Sequence, residues 1–160
     1  SVAWLNLGKV CDTMWRMEES EAAYRRALNT LKPGDDDTKL IIYTNLAAMY
    51  LQMGKFKEAQ GFSEKALKIK PDHLKSRHNL GLSLLASGQW KEGWKQYEAS
   101  VGSPQRVAFK YNDEPTWEGE TGGTVVVFGE QGIGDEICAA SMIPLEEFPT
   151  IARDHDIALK

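Results

Sequence analysis

The sequence predicts an all-α array of three helical hairpins over residues 1–107, followed by a short C-terminal β/α appendage. Two observations predict the array. The triplets Asn6-Leu7-Gly8, Asn45-Leu46-Ala47 and Asn79-Leu80-Gly81 recur with separations of 39 and 34 residues. A second marker recurs at the same separations: Tyr24-x-x-Ala27-Leu28, Ser63-x-x-Ala66-Leu67 and Tyr97-x-x-Ser100-Val101. Markers that move together define a repeated structural unit, here spanning about 1–39, 40–73 and 74–107.

Each unit reads as helix, turn, helix. Gly54 and Gly88 stand where a tight interhelical turn needs a residue tolerant of positive φ. Trp15 takes that place in the first unit. Pro33, Pro71 and Pro104 end the second helices, since proline cannot continue a helix. The first two units are separated by five extra residues around Gly34, Asp35, Asp36, Asp37 and Thr38. This acidic stretch lacks the glycine and distal glutamate of a calcium loop, so it reads as a solvated loop with Thr38 or Asp37 near the next helix cap.

The 34-residue period and its helix-turn-helix content resemble the tetratricopeptide repeat (TPR) family. The family's first helix carries bulky, bulky, small, bulky residues. Here they are Trp4, Leu7, Gly8 and Cys11; Tyr43, Leu46, Ala47 and Tyr50; and Arg77, Leu80, Gly81 and Leu84, with Arg77 replacing an aromatic. Small residues at Ser20 and Ala27, Ala59 and Ala66, and Gly93 and Ser100 let the paired helices approach closely. The resemblance implies an α-α superhelix whose first helices line a concave, partner-binding groove.

All three first helices place an asparagine beside the core position: Asn6, Asn45 and Asn79. A carboxamide both donates and accepts, so a row of them can grip a peptide backbone without reading its side chains. This resembles the asparagine ladder in the TPR superhelix of O-linked N-acetylglucosamine transferases. Lys9, Asn45 and Lys75 also match positions of the clamp by which some TPR modules hold a C-terminal carboxylate. Leu5 and Asn79 stand where that clamp needs Lys and Arg, so a full clamp is not expected. Lys9, Lys75 and His78 still favour an acidic ligand.

After residue 107 the helical period fades. Residues 108–123 read as a linker, and the run Val125, Val126, Val127 and Phe128 reads as a buried strand near 124–128. The loop containing Gly129, Gly132, Gly134 and Asp135 follows, and strand, glycine loop and helix start make an anion cradle. Residues 115–155 resemble the junction in bacterial proteins that fuse TPR arrays to a GT-B glycosyltransferase-like domain. That resemblance implies Asp135 as the base for an acceptor hydroxyl, with Gly132 and Gly134 admitting the substrate. Residues 124–160 would be only the opening of such a Rossmann-like domain, too short for a sugar-nucleotide pocket. The chain as it stands is expected to be catalytically silent.

The net charge of -4 divides unevenly. Residues 1–107 hold 16 Lys and Arg against 12 Asp and Glu, a balance of +4, and residues 108–160 hold 3 against 11, a balance of -8. Nucleic-acid binding is disfavoured, since no basic cluster interleaved with aromatics occurs. Cys11 and Cys138 make no disulfide framework or metal-ligand spacing, and a reducing cytoplasm is the expected setting. No metal, cofactor or membrane is expected. The expected function is a module that binds a protein or extended peptide, probed best through its groove, and that recruits it for an attached transferase domain. A fragment of a transferase, or a scaffold that homo-oligomerises through end residues such as Val2 and Leu5, are the alternatives.

Overall fold

The computed structural model describes residues 1–103, which form six α-helices paired as three hairpins. The first joins α1 (Val2–Thr13) to α2 (Met17–Asn29), and the second joins α3 (Asp36–Gln52) to α4 (Phe56–Ile69). The third joins α5 (Leu74–Ala86) to α6 (Trp90–Glu98). Among the described residues there is no strand. None of these helices is long and apolar enough to cross a membrane.

One turn closes all three hairpins. The N–H groups of Arg16 and Trp15 donate to the Cys11 and Asp12 carbonyls, those of Lys55 and Gly54 to Tyr50 and Leu51, and those of Gln89 and Gly88 to Leu84 and Leu85. This bond pair satisfies two terminal helix carbonyls and requires a left-handed residue at its centre. Gly54 and Gly88 hold that position at φ 69° and 77°, and Trp15 holds it at φ 58°. The repeat geometry therefore forces a side-chain-bearing residue into a region that glycine occupies freely.

The five extra residues form the expected loop only in part. Gly34 stays in the turn at φ 86° and Asp35 precedes the helix, while Asp36, Asp37 and Thr38 extend α3, which runs 17 residues where α1 has 12 and α5 has 13. The helix cap is Asp35, neither Asp37 nor Thr38: its carboxylate accepts the Thr38 N–H at 3.2 Å. Asp36 and Asp37 occupy the first turn, where their charge meets the positive end of the helix dipole. At the other end, Ser100 and Val101 fall outside α6, which stops at Glu98. The Ser100 hydroxyl turns back onto the Tyr97 carbonyl, a local bond that competes with helix continuation.

Within the hairpins, glycine and tyrosine are complementary. A Cβ on Gly8 would lie 2.6 Å from the Tyr24 ring, and one on Gly81 would lie 2.7 Å from the Tyr97 backbone nitrogen. The second hairpin holds Ala47 and Ser63 at the same two positions, so the methyl appears where the ring is absent. Its aromatic is displaced by one residue to Phe62, which stacks on Tyr50 with centroids 5.5 Å apart.

The main core gathers Leu5, Tyr24, Ile42, Leu46, Met49 and Tyr50. Leu7, expected in the core, is 45% exposed, while its counterparts Leu46 and Leu80 are 0% and 7% exposed. Leu46 lies in the core with Leu5 and Tyr24 of the first hairpin. Leu5 is buried in the core, so it offers nothing to an oligomer surface, whereas Val2 is exposed. Arg77 stands in for an aromatic by donating from Nε to the Pro71 carbonyl at 3.0 Å, which ties the inter-repeat loop to α5. Pro104, the linker 108–123, the strand expected at 124–128, and Gly132, Gly134 and Asp135 lie outside the described residues.

Candidate functional site

The packing pattern sets the curvature of the array. α1 packs on α3 and α3 on α5, whereas α2, α4 and α6 make no contact with one another. A stack joined along one side and splayed along the other bends toward the joined side. The layer α1, α3, α5 is therefore the concave wall, and Asn6, Lys9, Asn45, Lys75, His78 and Asn79 all belong to it.

These residues share a layer without sharing an environment. Asn6 and Lys9 are exposed, and Asn45, Lys75 and His78 are half-buried. The His78 ring lies against Tyr97, with centroids 5.4 Å apart. Asn79 is only 5% exposed, and its Nδ2 donates to the Thr44 carbonyl at 3.1 Å. That bond links the third hairpin to the second.

A buried polar relay runs beside it. The Thr44 hydroxyl donates to the Leu40 carbonyl at 2.8 Å and lies 2.9 Å from the Ser76 hydroxyl, which in turn lies 2.8 Å from His73 Nδ1. Thr44 has one hydroxyl hydrogen and has given it to Leu40. Ser76 must then donate to Thr44, and His73 Nδ1 must donate to Ser76. The relay thus fixes the neutral His73 tautomer with its proton on Nδ1. Burial lowers the His73 pKa, with the charges of Lys70 and Lys75 acting the same way and Asp72 opposing.

The ion pairs are distributed unevenly over the two sides. Among the described residues the ion pairs are Arg16–Glu19, Arg25–Glu21 and Lys95–Glu92, all on or bordering the second helices. Lys9 and Lys75, on the concave wall, belong to none of them. Burial pushes the Asp12 pKa up, and Lys75 across the wall pulls it down. Burial likewise raises the Tyr24 hydroxyl to about 12, with the Asp12 charge adding to the effect.

The environments of Asp12 and Tyr24 were not legible from repeat positions. One signal was present: Asp12 sits in the last turn of α1, where the negative end of the helix dipole disfavours a carboxylate.

Residues 1–72 match the tetratricopeptide repeat family. Tetratricopeptide repeats generally mediate protein–protein interactions. The third hairpin lies beyond the matched span yet repeats the same turn at Gly88 and the same glycine–tyrosine fit at Gly81 and Tyr97. One relative of known name is the peptidyl-prolyl cis-trans isomerase PASTICCINO1 of Arabidopsis thaliana, 25% identical over 96 residues. The alignment covers 54% of this chain and 15% of that protein, so the chain spans a small part of the relative.

Proposed function

We propose that this tetratricopeptide array binds a partner protein through an extended, preferentially acidic segment laid along the concave wall. One observation supports the reading above others. The ion pairs sit on the second-helix side, while the first-helix wall presents Asn6, Lys9, Asn45 and Lys75 with both lysines outside any ion pair among the described residues. Lysines on a concave surface raise the local potential toward anions, and amides alongside them supply backbone hydrogen bonds. His78, between Lys75 and Asn79, lies on the same wall. The partner is then delivered to an attached glycosyltransferase-like domain of which residues 124–160 are only the opening, with Asp135 at the place of that domain's base and Gly132 and Gly134 at its substrate entrance, while this chain by itself stays catalytically silent. That second element rests on sequence resemblance alone.

The test is a peptide array of acidic, neutral and basic extended sequences probed with the whole chain. Acidic peptides should bind best, and their affinity should fall as salt is raised, because exposed charges are screened over about 10 Å at 0.1 M. Changing Lys9 and Lys75 together to Ala should remove the acidic preference. An array that captures nothing, or the same peptides with both lysines gone, would sink the proposal.

A further inference from the structure

The first helices of the second and third hairpins bury one set of repeat positions. On α3 these are Ile42, Leu46 and Met49, fully buried and in one core with Leu5, Tyr24 and Ala27 of the first hairpin. On α5 they are Ser76, Leu80 and Ser83, also buried, and the Ser76 hydroxyl lies 2.9 Å from that of Thr44 in the second hairpin. The separations of 39 and 34 residues carry the set back to Ala3, Leu7 and Val10 on α1. There it is uncovered. Ala3 is exposed, Leu7 is 45% and Val10 55% exposed, and Met14 at the helix cap continues the row at 59%.

The row has the form of a helix-pairing seam. Ala3, Leu7, Val10 and Met14 are spaced alternately four, three and four residues apart, the pattern that keeps apolar side chains along one edge facing another helix. All four are apolar, and the exposed residues flanking them, Asn6 and Thr13, carry no charge. Lys9 lies one residue before Val10, about 100° round the helix, and so stays off the row. An uncharged edge can lie against a copy of itself run in the opposite direction, with Leu7 meeting Val10 and Ala3 meeting Met14. Such a pairing is two-fold and closes on itself. What covers these positions elsewhere in the molecule is a hairpin of the same repeat, and a second copy supplies one.

We propose that α1 pairs with α1 of a second copy through Ala3, Leu7, Val10 and Met14. The two-fold dimer continues the hairpin-on-hairpin packing of the array from one molecule to the next. Val2 is exposed too but lies about 100° round the helix from Ala3, so it takes no part. The pairing is independent of what the concave wall binds.

Sedimentation equilibrium of the whole chain, with reductant present, tests this. The average mass should climb from 17.9 kDa toward twice that value as concentration rises through the micromolar range. Leu7→Glu combined with Val10→Glu puts charges into the seam from both copies and should hold the mass at 17.9 kDa throughout. Its helical circular dichroism should match wild type, because both residues are exposed in the single chain. Leu7→Ala keeps helix propensity and should weaken association at least about tenfold, since a two-fold pair loses the side chain twice. That variant gives the same answer should the paired glutamates disturb the fold. Val2→Glu should change nothing. Salt raised to about 0.5 M should leave the dimer in place, because the seam has no charge to screen. A wild-type chain that stays at 17.9 kDa at every concentration overturns the proposal. So does a dimer that survives both Leu7 variants, or one that dissociates in salt, which would trace the association to charged surfaces instead.

Discussion

Asn79 and Thr44 are joined across the second and third hairpins by an N–H···O bond of 3.1 Å that water scarcely reaches. Asn6, at the same repeat position, is exposed. One repeated residue therefore serves cohesion in the third hairpin and faces solvent in the first.

The two asparagines should respond oppositely to truncation. Asn79→Ala removes a buried donor and strands the Thr44 carbonyl contact, costing about 1–2 kcal/mol of stability. Asn6→Ala loses no such bond and gains about 0.5 kcal/mol of helix propensity. Urea unfolding of both variants checks this. Equal shifts of the two midpoints would refute the division of roles.

Glycines at the interhelical contact should be intolerant while one elsewhere is not. Gly81→Ala places a methyl 2.7 Å from the Tyr97 backbone nitrogen, an unyielding neighbour, and should cost about 1–3 kcal/mol. Gly61 in α4 has nothing within 4 Å of its Cβ position. Gly61→Ala should therefore stabilise by about 1 kcal/mol. Thermal melts of the pair give the answer, and a neutral Gly81→Ala would mean the hairpin can open without loss.

Trp15 is the outlier of the turns, largely exposed and held at φ 58°. The left-handed region costs a non-glycine residue about 1–2 kcal/mol. Glycine's greater freedom in the unfolded chain takes back about 0.5–1 kcal/mol. Trp15→Gly should thus gain roughly 0.5–1 kcal/mol and raise the melting temperature. A lower melting temperature would show that the indole makes a contact worth more than the strain.

His73 should make stability depend on pH. Its folded pKa lies below the ordinary value of 6.5, chiefly because it is buried, with Lys70 and Lys75 contributing. On acidification the unfolded chain binds the proton first, so the unfolded state is favoured. The contribution of neutral His73 is complete above about pH 6.5 and is lost as pH falls through the depressed folded value. The relay survives protonation, because Nδ1 remains a donor, and the cost comes from burying charge near two lysines. Unfolding free energies measured from about pH 7.5 to about pH 5 should fall for wild type more steeply than for His73→Asn. Parallel curves would remove His73 from the account.

The repeat, its helix types and its turns could be read directly from residue spacing. Such features depend on local rules: which residue tolerates a left-handed turn, which ends a helix, which is small enough for helices to touch. Gly54, Gly88, Pro33 and Pro71 obey those rules wherever the chain goes. Trp15 shows the rule from the other side, since the turn forms around it despite its side chain. The layer holding the candidate binding residues was legible for the same reason, because helix periodicity assigns each residue to a face.

Environment was another matter. Position in the repeat makes Asn6, Asn45 and Asn79 equivalent, and only the neighbours separate them: solvent for Asn6, Tyr24 beside Asn45, the Thr44 carbonyl against Asn79. Leu7 and Leu46 part company in the same way, one facing water and the other in the core with Leu5 and Tyr24. The charge of Lys75 on α5 acts on Asp12 on α1, and no local pattern in the sequence records that coupling. Hydrogen-bond satisfaction and pKa are set by what surrounds a group within a few ångströms. That surrounding exists only once the hairpins have stacked.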